Sequence, residues 1–170
     1  MLQRPAADEH AEYYGRYIAL VPDGDLLAGM NTAHTNLITR LRAASAKSAY
    51  RYAPDKWTVA EVVQHLSDGE RVFGYRLLNF ARGNDQPLPP FDENTWAPAS
   101  KANERPYADV VNEFVAVRAA TVALVQGISA ADWARRGIMS GNAASARAVA
   151  YIMAGHERHH ASVLAERYGV

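Results

Sequence analysis

The sequence predicts an all-α protein, a four-helix bundle with a long crossover loop between its second and third helices. Three observations carry this. Four segments of helical length repeat their apolar residues every three to four positions. No stretch alternates apolar and polar residues in the manner of a half-buried strand. No internal repeat divides the 170 residues, a length that can bury a sizeable single core.

Residues 1–22 read as an N-terminal arm. It begins polar and loose, then carries Tyr13, Tyr14, Tyr17, Ile18 and Leu20, which can dock on the body or on a partner. Residues 23–170 form the bundle domain. Pro22-Asp23-Gly24-Asp25 turns into the first helix with Asp25 as N-cap. Leu26, Leu27, Met30, His34, Leu37, Ile38 and Leu41 then share one face. His34 lies on that stripe, either as a core histidine with a hydrogen-bond partner or as the lining of a pocket.

The second helix has the clearest start. Thr58-Val59-Ala60-Glu61 is a capping box, and Trp57 before it can pack on Val62. The helix should run to about Arg82, with Val62, His65, Leu66, Gly69, Val72, Phe73, Arg76 and Phe80 inward. Residues 83–103 hold four of the eight prolines, together with Phe91 and Trp96. Loops of this length in compact domains are often lids, so Asp92, Glu93 and Trp96 could border a site. They could equally anchor a plain crossover. The third helix spans about Tyr107 to Gln126, burying Val110, Val111, Phe114, Val117, Ala120, Thr121 and Leu124, and Gly127 stops it. Ser129 caps a short turn containing Trp133, and residues 137–142 lead into the fourth helix.

That last proline-free run, Ala143 to Arg167, contains Gly155-His156-Glu157-Arg158-His159-His160, three of the six histidines within five residues. Val149, Ile152, Met153, His156, His160, Val163 and Leu164 form one stripe, so two imidazoles enter the buried face. A buried imidazole without a partner costs about 1–3 kcal/mol. A divalent metal would satisfy both, since histidines one turn apart can aim nitrogens at a point about 2.0–2.1 Å from each. Carbonyl or carboxylate partners would do so too, and the pair alone leaves both readings open. His156, Glu157 and His160 meet the His-Glu-x-x-His spacing of helical zinc peptidases, but that arrangement needs a strand, a loop and a third ligand downstream. Ten residues after His160 are too few. Bundles build metal sites from facing helices, which joins His65 to His156 and His160. Three neutral ligands leave positions open, as in catalytic rather than structural sites.

Composition narrows the function. Lys plus Arg equals Asp plus Glu at 18 each, and no dense basic run is present, so a nucleic-acid partner is not expected. Cysteine is absent, which excludes disulfides, thiolate ligands and a cysteine nucleophile and fits a reducing compartment. No signal-type apolar core occurs, and no apolar run approaches the roughly 20 residues of a membrane span. A soluble cytoplasmic protein without a membrane partner is expected.

The run from Lys56 to Glu70, with Trp57, Thr58, Glu61, His65 and Asp68 in the order W-[ST]-x-x-[EQ]-x-x-x-H-[LV]-x-[DH], resembles the DinB/YfiT superfamily. So does Gly155 to His160, leading through Leu164 to Tyr168, and Pro90 to Trp96 is similar to the YfiT-like branch. The resemblance spans Asp23 to Tyr168. It implies a four-helix bundle, usually a homodimer, with nickel or zinc on a histidine triad that falls here on His65, His156 and His160. It also implies a metal-dependent thiol S-transferase, in which a low-molecular-weight thiol is activated to attack an electrophile. A hydrolase with an activated water and a non-catalytic, stress-related metal-binding bundle are the alternatives. Asp68 and Glu157 are candidate catalytic groups, as bases or as partners of the ligands, against a plain solvated helix face. A fourth ligand from His34, His159 or Asp92 would favour the non-catalytic reading.

Overall fold

Three of the four long helices begin at a side chain that accepts a free backbone N–H of the first turn. In the computed structural model, which describes residues 2–170, Asp25 accepts from Ala28 N at the start of α2 (Leu26–Ala43). Thr58 and Glu61 close the expected capping box on α3 (Val59–Ala81). Ser145 caps α6 (Ala146–Tyr168), and α5 (Tyr107–Gln126) follows Pro106 and stops at Gly127. Two short helices, α1 (Glu12–Ile18) and α4 (Glu93–Ala99), and a hairpin of β1 (Arg136–Met139) and β2 (Asn142–Ser145) complete the regular elements. No described helix is long and apolar enough to cross a membrane.

Helix α3 packs on both α5 and α6, and α2 lies against the same two. The core divides in two. One cluster gathers Met30, Phe73, Leu77, Phe80, Met139 and Ile152; the other gathers Leu37, Leu41, Val63, Leu66, Phe114 and Leu164. Between them every long helix turns a polar residue inward: His34 from α2, Glu70 from α3, Arg118 from α5 and Glu157 from α6. The Arg118 guanidinium bridges Glu70, at 2.9 Å, and Glu157. Breaking such a pair by removing one partner costs about 3–5 kcal/mol, because a charge is left behind. The buried face of α5 therefore includes Arg118, while Val117 is only half-buried and Ala120 is exposed, contrary to the apolar stripe expected there.

Residues 137–142 are more than a connection. The chain reverses through Ser140 and Gly141, both in the left-handed region at φ 51° and 77°, which gives a two-residue turn whose twist suits paired strands. The pairing runs from Arg136↔Ser145 to Met139↔Asn142, so the fourth helix starts at Ala146. The crossover is stitched to this hairpin, with Leu88 N donating to Ile138 O and Ser140 N to Leu88 O. It also carries α4, capped by Asp92.

The arm is fastened rather than loose. Glu9 is 3% exposed, accepts from Ser145 Oγ and forms an ion pair with Arg147, partners that hold its carboxyl down at about 2. Helix α1 then lies across α6 at Gly155, where an added Cβ would stand 2.0 Å from Tyr17 O. Gly155→Ala should push α1 off α6. Overpacking of this kind costs about 1–3 kcal/mol, so the thermal midpoint should fall by several degrees and proteolysis before Pro22 should quicken. An unchanged midpoint and cleavage rate would contradict this docking.

Candidate metal centre

The site forms where α3 and α6 cross. His65 sits two turns into α3, and His156 and His160 lie one turn apart on α6, each on its inward stripe. Gly69, one turn beyond His65, lets the helices approach: a Cβ there would lie 3.1 Å from His156 Cε1. One imidazole nitrogen from each of the three histidines falls in a group whose atoms are all within 4.8 Å of one another. His65 Nε2 and His156 Nε2 are 3.1 Å apart, and the ring centroids are separated by 4.6 to 5.0 Å.

Burial sets the charge of this cluster. It pushes His65 down to about 4 and His156 and His160 well below the usual 6.5, with further repulsion from neighbouring histidines. All three are therefore neutral at pH 7, the form in which imidazole ligates a metal. The His160 Nδ1 atom is buried without a hydrogen-bond partner. The spacing fits a shared ion: ligands at about 2.0–2.1 Å from one metal stand about 3.0–3.4 Å apart, and the close pair already does. No fourth described His, Asp or Glu joins the group, so the triad could hold a metal with positions left open.

The open side faces a cavity of about 280 Å³. Its walls come from α1 (Tyr13, Tyr14, Arg16, Tyr17), from α3 (Phe73, Arg76), from Trp57, and from Phe91, Glu93 and Ser140. Tyr17 meets His156 and His159 edge-on at 5.5 Å, and Trp57 lies 4.8 Å from His65. The arm and the hairpin turn thus complete the site, and no motif in the sequence marks either for that role. The inward position of Arg76 on the α3 stripe and the tyrosine cluster of the arm are the signals that were present.

The other residues singled out in the sequence lie elsewhere. Glu157 points into the polar layer, bound to Arg118, with Oε1 3.3 Å from His34 Nδ1 but off the hydrogen-bond line. His34 packs edge-on against Phe114 at 4.8 Å, away from the cavity. Asp68 accepts from Gln64 Nε2 and stands 3.6 Å from Arg71, outside the cavity wall. Asp92 is exposed and occupied by the first turn of α4, accepting from Asn94 and Thr95. Trp96 packs against Phe91 with the rings tilted by 49° and borders an outer apolar groove with Tyr75 and Leu88. From this loop it is Phe91 and Glu93 that reach the cavity. His159 sits at the rim beside Tyr17.

Fold and site together define a helical bundle with a candidate metal centre of three histidines. The chain belongs to the DinB superfamily, whose sequence model matches residues 25–164. Its fold is similar to that of YfiT from Bacillus subtilis, described as a probable metal-dependent hydrolase with an unusual four-helix bundle topology. That likeness has a TM-score of 0.65 at 17% identity and covers 98% of this chain and 94% of the other. No curated protein matches the sequence.

Burying neutral imidazoles makes the metal-free protein acid-labile. The unfolded chain protonates His65 near 6.5, whereas the folded chain resists until about 4, so falling pH favours unfolding across that window. The urea midpoint of metal-free wild type should drop from pH 6.5 to 4 by more than that of His65→Gln. Parallel curves for the two proteins would contradict the buried, neutral state of His65.

Proposed function

We propose that this chain is a metal-dependent enzyme in which His65, His156 and His160 hold nickel or zinc, and that it transfers a low-molecular-weight thiol to an electrophile. The observation that carries the reading is the cavity that opens directly onto three neutral histidines with no fourth protein ligand among the described residues. A site built only to stiffen the bundle would close its shell with a fourth side chain. When bound, the metal supplies Lewis acidity, which lowers the pKa of a thiol reaching its open position.

The remaining work falls to the chain itself. Trp57, Tyr17 and Phe73 wall the histidines from bulk water and strengthen electrostatic interactions inside the cavity. The buried pair of Arg118 with Glu70 and Glu157 keeps α5, α3 and α6 in one arrangement, which holds the triad's nitrogens convergent. Phe91 and Glu93 give the crossover a place at the mouth, suited to admitting a small molecule. A homodimer, a small thiol and an electrophilic co-substrate complete the proposal.

Hydrolysis is the second reading, and the description of YfiT as a probable metal-dependent hydrolase favours it. The same walls and ligands would then serve an activated water. The two separate in one assay. Protein loaded with nickel or zinc and given an aryl halide electrophile should form the thioether with glutathione, mycothiol or bacillithiol, and His156→Ala should lose at least a hundredfold in rate. Thiol-independent turnover of an ester or amide would replace transfer by hydrolysis.

A further inference from the structure

Two arginines are fully buried, and their surroundings differ. Arg118 lies between two carboxylates. Arg76 on α3 is 2% exposed and makes no ion pair among the described residues. Its Nη2 donates to Pro89 O and to Ser140 Oγ, each at 2.9 Å, and the Tyr14 hydroxyl stands beside the guanidinium. The Phe73 and Phe91 rings flank it at 5.4 and 5.9 Å. The partners of the guanidinium are thus a carbonyl and two hydroxyls, and no carboxylate is among them. A guanidinium cannot escape by losing its proton, and a buried charge without a counter-ion is costly.

Arg76 lines the same cavity as the histidines. Arg16, exposed at the rim, lies over the Tyr13 and Tyr17 rings at 4.0 and 4.7 Å and also makes no ion pair among the described residues. Glu93 is the one carboxylate in the lining, so two permanent cations face one anion before any metal is counted. Arg76 follows His65 by eleven positions on one helix, about 16 Å along the axis at about 1.5 Å per residue, which leaves space between them for a molecule of several atoms.

We infer that the end of the cavity at Arg76 is an anion subsite that binds the carboxylate of a small-molecule substrate whose reactive group faces His65, His156 and His160. Nη2 is committed to Pro89 O and Ser140 Oγ, so a carboxylate oxygen would take a single charge-assisted hydrogen bond from Nε or Nη1. The walls beside it are aromatic, and among the described residues Arg76 is the one buried cation in the cavity lining, Arg16 being exposed at the rim, which suits a singly charged carboxylate better than a doubly charged phosphate. The assignment rests on the triad being the reactive centre, and it names the substrate class of that site.

Calorimetric titration of the metal-free protein at low salt tests it, with benzoate, its uncharged counterpart benzamide and inorganic phosphate as probes. Wild type should bind benzoate at least tenfold more tightly than benzamide and more tightly than phosphate. Arg76→Gln should lose at least tenfold in benzoate affinity with little change for benzamide. Ser140→Ala, at the hairpin turn, removes one anchor of the guanidinium and should weaken benzoate about threefold, which keeps the test available if Arg76→Gln does not fold. Equal affinity for benzoate and benzamide, tighter phosphate, no benzoate binding, or variants that bind benzoate as wild type does would each overturn the subsite. Because no metal and no turnover are involved, a protein that binds benzoate through Arg76 yet catalyses neither reaction keeps the subsite and loses the proposed function.

Discussion

The structure depends on one constraint, the close crossing of α3 and α6 with three uncharged imidazoles packed into it. Each ring nitrogen left without a partner there costs about 1–3 kcal/mol. His65 and His156 face each other at 3.1 Å, and His160 Nδ1 is unpartnered. Gly69 makes that approach sterically possible, and Gly155 does the same for the arm on the other side of α6. Helix α1 then brings four of its side chains to the cavity and forms one of its walls.

The polar layer explains how such a crossing can be rigid. Apolar packing above and below would tolerate small rotations of the helices, whereas the Arg118 pairs with Glu70 and Glu157 do not, since a misplaced charge in that interior has no water to turn to. Glu157 follows His156 directly, so the layer and the metal centre are set by the same turn of α6. One face of that turn is committed to holding the bundle, the adjacent face to ligation.

Much of this was legible in the sequence. The caps at Asp25 and Thr58 and the stop at Gly127 have local causes, and the observed helices begin and end there. The three histidines could be joined because an inward residue two turns into one helix and two inward residues on another must meet in a bundle, and the resemblance to the DinB/YfiT superfamily named the same three. Other features depend on tertiary partners. Arg118 reads as a surface residue until Glu70 and Glu157 are placed beside it. The four-residue strands Arg136–Met139 and Asn142–Ser145 have too little alternation to stand out, and only the left-handed Ser140-Gly141 turn betrays them. In the crossover the segment was marked, and of Asp92, Glu93 and Trp96 it is Glu93 that lines the cavity, because the phase of α4 leaves the other two exposed. Glycines inside buried helical stripes cost about 1 kcal/mol relative to alanine, so Gly69 and Gly155 were legible clues to close approach.

The claim on which everything functional rests is that the triad binds a metal. Elemental analysis of untagged protein, alongside His65→Ala and His160→Ala, addresses it directly. About one equivalent of nickel or zinc per chain, lost in both variants while each keeps its helical content, is the predicted result. Wild-type protein that is metal-free and takes up neither ion when supplied would show that the three histidines are core residues alone, and would contradict the account.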